Sequence, residues 1–582
     1  MAEQIVSPGV FQRETDQSFL TPAPVEVGAA IVGPTVRGPV ERPTVVSSFA
    51  DYKNKFGTTF VSQSDNLEFF TSIAVQKFFS NGGNSMLVTR VASGSHTVAT
   101  STNITASGIA GTDPFELETL GKGTVLNNST GVTDGGKEFK DGSLATGSKD
   151  NLRFEISGVN NTAGTFNLSI RRGDDNTTNK IVLETFVGCS LDPKADNYIS
   201  KVVGDQTTET TTQEGQTFIK ITGDFPNQSK FVRIKSVGLN TPDYFLQDGS
   251  VGSDSAGVSY SGSLPIAQSG SFHGALGSNF PASGGLNAFE NIASLNSQGL
   301  VSSDYTTALN ILKNKDEYRF ATLTIPGMYN SDHASSVAAA IELCEARGDC
   351  FFIADMVPYG GTVATVTAEA NKLNTNFAGT YWPWVKVPST ELSRNVWAPA
   401  STVMQGVYAF NDKVAAPFFA PAGLNRGGLP IVRSEFKVVQ ALRDKLYDNK
   451  VNPIATFPRV GPVAFGQKTL QKKASALDRI NVRRLLITLK NFIGDTSKNL
   501  VFEQNTTQTR NRFLNAVNPF LESIQQRQGL FAFRVVMDES NNTAEAIDRN
   551  QLIGQIFIQP TRTAEFIILD YTIQPTGATF ND

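Results

Sequence analysis

Cysteine, histidine and tryptophan are scarce in this 582-residue chain, three of each, and only 18% of residues are charged. The cysteines are Cys189, Cys344 and Cys350. Their odd number and the lack of any CxxC pair exclude a disulfide framework or a thiolate metal cluster, so they read as buried, reduced thiols. The histidines are as sparse. His96 falls in a Ser/Thr-rich loop, His273 in a Gly/Ser-rich connector and His333 in the first turn of a helix. No two of them have the HExxH spacing of a metal site. His333 beside Asp332 reads as a solvated helix start. No serine has glycine two residues before and two after it, so the nucleophile elbow is missing. There is no GxGxxG or GxxxxGK[ST], hence no phosphate-cradling loop. No catalytic residue, cofactor site or metal site is expected. No run of 18 apolar residues offers a membrane span, and "MAEQIVSPG" has no signal-peptide character. Synthesis in a reducing cytosol is the expectation. The formal net charge of −4 gives no global attraction to nucleic acid or anionic membrane.

What the chain does have is apolar bulk, at 40% of residues, with 40 phenylalanines and 50 glycines. That length exceeds one core and implies three or four domains. The phenylalanines favour sheets with packed aromatic faces. The opening stretch "IVSPGVFQRETDQS" reads as a turn and then a strand. Val10, Gln12 and Glu14 alternate with Phe11, Arg13 and Thr15. The prolines that follow, Pro22 and Pro24, deny it a tight hairpin partner. Residues 1–25 are therefore an extended arm holding an orphan strand.

Residues 26–92 read as a compact α/β start. "VGAAIVG" is a strand. "DNLEFFTSIAVQKFFSNGG" is a helix with Asp65 and Glu68 as a capping box, and "SMLVTRVA" is a second strand. Twelve of residues 93–112 are Ser, Thr or Gly, which predicts a surface loop. Residues 113–264 read as β throughout, a surface insertion with flexible connectors spanning 93–285. From about 286 to 460 strand and helix alternate. "YRFATLTIPG", "SDHASSVAAAIELCEARGD" and "CFFIADMV" form a strand–helix–strand unit of a parallel sheet, with Val337, Ile341 and Cys344 on one helix face and Gly348 as its stop. Residues 461–582 hold two amphipathic helices and then strands. Along 479–490 lie Arg479, Arg483, Arg484 and Lys490 with no acid. Arg479, Arg483 and Lys490 fall within about 40° of one another on a helical wheel. The stripe reads either as a solvated face or as a dock for an acidic surface.

In sequential order, "SPGVFQRETDQS", "FFSNGGNSMLVTRV", "VWAPAS", "FFAPAGLNRGGL", "FPRVGPVAFGQKTL", "INVRRLLITLKNFI", "GLFAFRVVMDESNNT" and "GQIFIQPTRTAEFI" resemble the signatures of the bacteriophage contractile tail sheath family. The resemblance covers both flanks. Within the insertion it touches only "TFNLSIRRG" and "LETFVGCSLDP". It implies an α/β and α+β multidomain fold: a subtilisin-like α/β middle domain, a β-rich outer insertion, and a C-terminal α+β domain whose sheet is completed by strands from neighbouring subunits. Those strands would be Val10, Phe11, Gln12, Arg13 and Glu14 of one arm and Phe566, Ile567, Ile568 and Leu569 of the other. It further implies homo-oligomeric six-fold rings stacked on a tail tube protein. Baseplate and tail terminator would be further partners, with no nucleic acid and no membrane insertion. Arg479, Arg483 and Lys490 become tube-contact candidates. The polymer would be made in host cytoplasm and end in the virion tail. Three alternatives stand beside it: the sheath of a phage-derived bacteriocin or injection device, a subtilisin-like hydrolase, and a surface-binding module built on the insertion.

Overall fold

In the computed structural model the described residues are 27–62, 65–128, 138–254, 257–277 and 296–567. Val10 to Glu14, Ile568 and Leu569 lie outside them.

The largest sheet has eight strands. Their order is Thr44–Val46, Met86–Arg90, Val27–Gly33, Phe320–Tyr329, Phe351–Asp355, Ala378–Trp382, Val451–Phe457, Gly461–Ala464. The six central strands are parallel and both edge strands antiparallel. Helices cover both faces, so its strands are apolar on both sides. Ala30, Val32, Leu323 and Phe352 face the helices Tyr305–Leu312, Ala334–Arg347 and Val363–Lys372. Ala29, Ile31 and Val88 pack with Ala74, Val75 and Phe78 of Phe70–Ser80. On that same side Phe351 and Ile353 meet Val403, Met404 and Val407 of Ser401–Val414. The strand–helix–strand unit at 320–355 forms as its periodicity predicts, and Gly348 ends the helix in the left-handed conformation that glycine adopts without a Cβ clash.

The insertion is a seven-stranded antiparallel sheet: Val182–Ser190, Thr165–Arg172, Leu152–Asn160, Gln268–His273, Val98–Ser101, Phe115–Lys122, Val232–Val237. Phe115, Phe154, Phe166 and Phe272 fill its core. Two buried arginines tie it to the larger sheet. Arg90 donates to the carbonyls of Gly38 (2.6 Å) and Lys122 (2.7 Å), and Arg37 to those of Asn54 (2.7 Å) and Asp150 (2.8 Å). Each places terminal guanidinium N–H groups on backbone acceptors from both sides of the junction.

Three sequence expectations fail here. Residues 98–101 are a strand within the insertion, with Ala99 buried, and not part of a loop. Residues 65–68 are the second strand of a hairpin with Thr59–Ser62, so there is no capping box. The helix starts at Phe70. His273 lies buried in Gln268–His273, not in a connector.

The C-terminal unit packs Ile480–Lys498 and Thr507–Gln526 together. Phe513, Val517, Leu521 and Ile524 recur at helical spacing and are buried against Leu485, Leu489 and Leu530. Leu530–Val536 and Gln555–Pro560 then pair as an antiparallel two-stranded sheet.

Candidate subunit interface

Two strands of seven and six residues make an incomplete sheet. One face is covered. Phe533, Val535, Ile556 and Ile558 pack onto the helix core. They sit opposite one another across the ladder, Phe533 with Ile558 and Val535 with Ile556. The other face is open. Phe557 is 56% exposed opposite Arg534, and Phe531 is 76% exposed. Among the described residues no further strand pairs with either edge. Isolated two-stranded ribbons are marginal in water, and an open edge is a template for another strand. This unit therefore has the hydrogen-bonding capacity and the apolar surface to accept strands from outside itself.

Beyond Pro560 the chain leaves this sheet and crosses to the eight-stranded one. The Glu565 carboxylate accepts from Arg479 Nε (2.7 Å), Gln467 Nε2 (3.0 Å) and Tyr447 Oη (2.8 Å). Gln467 Nε2 also donates to Thr563 Oγ1 (2.5 Å). The next two residues, Phe566 and Ile567, are 78% and 79% exposed.

The basic stripe is not a solvated face. Arg483 is 3% exposed, with its guanidinium 3.4 Å from the centroid of the Phe377 ring. Burial pulls it down to about 10, still cationic at neutral pH. Arg484 is buried over Tyr408 and pairs with Asp412. Arg479 is held by Glu565 and Asp478. Only Lys490 of the three candidates is exposed. Helical spacing could not show that aromatic rings distant in sequence bury Arg483 and Arg484.

One cluster bears on chemistry. Asp355 ends a parallel strand, Ser401 begins a helix, and Ser401 donates to Asp355 through its Oγ (2.5 Å) and its N–H (3.2 Å). Burial raises Asp355 to about 7, against those two hydrogen bonds. His333 lies near this sheet end. It is buried, not solvated, and its Nδ1 accepts from the Tyr329 N–H at 3.1 Å. Ser401 thus donates its hydroxyl hydrogen bond to the Asp355 carboxyl and not to an imidazole, unlike an activated serine nucleophile. Among the described residues no group of three metal-ligating side chains gathers. Among those residues no helix is long and apolar enough to cross a membrane.

Among the described residues, a two-stranded sheet with unpaired edges thus packs beside two helices. Residues 472–574, which contain this unit, match the phage tail sheath C-terminal domain family. The chain is 40% identical over 188 residues to the tail sheath protein of Vibrio phage KVP40, and 38% identical over 189 residues to that of Enterobacteria phage T4. Each match covers 32% of this chain, and 28% and 29% of those two proteins. The crystal structure of a sheath tail protein from Listeria innocua aligns with 88% of this chain and 89% of its own, at 11% identity and a TM-score of 0.49.

Proposed function

We propose that the chain is the structural subunit of a contractile phage tail sheath. The carrying observation is the two-stranded Leu530–Val536/Gln555–Pro560 sheet, with open edges and Phe531 and Phe557 outward, inside the segment that matches the sheath domain. Val10 to Glu14 of one neighbour and Phe566 to Leu569 of another complete that sheet by β-augmentation. Such a contact is head-to-tail, so repetition gives rings and helical stacks, not a closed dimer. Six subunits form each ring, and the rings stack on a tail tube between baseplate and tail terminator.

The extended sheath is held by a kinetic barrier. Once triggered, the subunits rotate and pack more closely while the arms keep the mesh connected, and the tube is driven through the host envelope. No nucleotide is consumed and no bond is hydrolysed. The proposed division is an arm (1–25), a subtilisin-like middle domain (26–92 with 286–460), an outward insertion (93–285) and the sheath domain (461–582). The subtilisin likeness is one of architecture, since the Ser401 hydroxyl donates to Asp355 and not to an imidazole. The tube contact rests on Lys490, because Arg479 and Arg483 are engaged within the subunit.

A mixing experiment tests the strand exchange. One population carries Gln12→Cys and the other Arg534→Cys, and a bismaleimide is added after assembly. Native Cys189, Cys344 and Cys350 are buried and free. The expected product is a cross-link between the two populations. No cross-link between the two populations, with both introduced thiols labelled singly, would contradict the proposal.

A further inference from the structure

The segment between the last strand and the end of the described chain is held in an alternating pattern. Thr561, Arg562, Ala564, Phe566 and Ile567 are exposed, whereas Thr563 and Glu565 turn inward. The inward pair meets side chains from three separate places. Tyr447 comes from the helix Gln440–Asp448, Gln467 from just past the edge strand Gly461–Ala464, and Arg479 from the residue before Ile480–Lys498. Tyr447 is itself braced, with Lys468 Nζ 4.1 Å from its ring centroid and donating to its carbonyl at 2.8 Å. Both oxygens of Glu565 are engaged, Oε1 by Arg479 and Gln467 and Oε2 by Tyr447. A short segment that buries little apolar surface has no other reason to lie still. Immediately beyond this grip, Phe566 and Ile567 face solvent.

We propose that Arg479, Tyr447 and Gln467 form a clasp on Glu565 that fixes where the C-terminal arm leaves its own subunit, so that the residues after it are presented to a second copy. The clasp makes Arg479 a positioning residue for assembly and takes it out of the tube-facing set. It rests on the sheath reading above for the identity of the recipient. Its own content is separate: residues 561–565 stay bound to the parent subunit, and the arm pivots after Glu565.

The test uses the full chain and two readouts. The first is trypsin cleavage after Arg562 in unassembled protein, followed as release of fragment 563–582 by mass spectrometry. Cleavage needs the segment to detach, so its rate follows the population of the open form. Glu565→Gln and Tyr447→Phe should each speed release about tenfold, equivalent to about 1.4 kcal/mol. The charge swap Arg479→Glu with Glu565→Arg should restore slow release. The second readout is the protein concentration at which cylinders appear by electron microscopy. It should rise about tenfold in the single variants and return in the swap.

Unchanged release in both single variants would show that the clasp does not hold the segment. Faster release with cylinders at the wild-type concentration would overturn the presentation role. If wild-type protein formed no cylinders, alone or on tail tubes, while release still responded to Glu565→Gln, the sheath reading would fail, and the handover with it, whereas the clasp itself would stand.

Discussion

Arg483→Glu should unlock the interior between the Ile480–Lys498 helix and the eight-stranded sheet. Arg483 sits face-on to Phe377 at 3.4 Å and is 3% exposed. A desolvated cation–π contact contributes about 2 kcal/mol. The new carboxylate would face the same ring with exposed Lys490 as its nearby cation, and a poorly compensated buried charge costs about 3–5 kcal/mol. A local loss of at least about 4 kcal/mol is the result, nearly a thousandfold in the open population. Arg483→Met keeps the aliphatic stem and removes the buried charge, so it should cost about 1 kcal/mol or less. A chain with several cores has no single unfolding midpoint, so a local probe is needed. The Cys344 and Cys350 thiols provide it. They are fully buried with their sulfurs 3.2 Å apart, in the core against which Phe377 packs. Labelling of these thiols by a disulfide reagent under native conditions should accelerate by two to three orders of magnitude in the Glu variant and little in the Met variant. Labelling of the Glu variant as slow as wild type would refute the buried placement of Arg483.

Other consequences are open to test. Removing residues 1–18 should leave a folded monomer or short oligomer by sedimentation, and long tubes from the truncated chain would sink the donated-strand proposal. Replacing 97–277 by a short linker should preserve polymerisation, although Arg90 and Arg37 each lose a carbonyl acceptor, a cost of about 1–3 kcal/mol apiece. A folded product that no longer assembles would show that the insertion is not peripheral. Lys490→Glu should weaken assembly on tail tubes more than spontaneous polymerisation, and an equal loss of both would argue against a tube contact. Asp355 is raised to about 7 in the fold from an ordinary value of 3.8. Its contribution to stability is therefore fully present below about pH 4 and lost as pH rises through about 7, on the order of 4 kcal/mol. In Asp355→Asn, resistance to urea should change less between about pH 5 and pH 8 than in wild type, and an identical pH dependence would rule the assignment out.

The parts of the fold readable from the sequence were those specified by nearby residues. Val337, Ile341 and Cys344 mark the buried face of their helix, Gly348 its end, and the flanking apolar runs the parallel strands. The errors arose where distant partners decide. "VATS" at 98–101 resembles a loop, yet Ala99 N–H donates to Thr119 Oγ1 and Ser101 Oγ accepts from Leu117 N–H, so small polar residues are satisfied inside a sheet. The Asp65 and Glu68 spacing suits a capping box, but Glu68 is a strand residue that accepts from Ser72 and Ser389. A helical wheel treats Arg483 and Arg484 as polar, whereas Phe377 and Tyr408, far away in sequence, bury them. Glu565 gave no signal at all, because its partners lie 86, 98 and 118 residues upstream.

The most direct test of the central claim is negative-stain electron microscopy of the purified full-length chain over a concentration series, alone and mixed with phage tail tubes. The account predicts hollow cylinders of uniform width, free or sleeved on the tubes. Dispersed particles at every concentration, with bare tubes beside them, would contradict it.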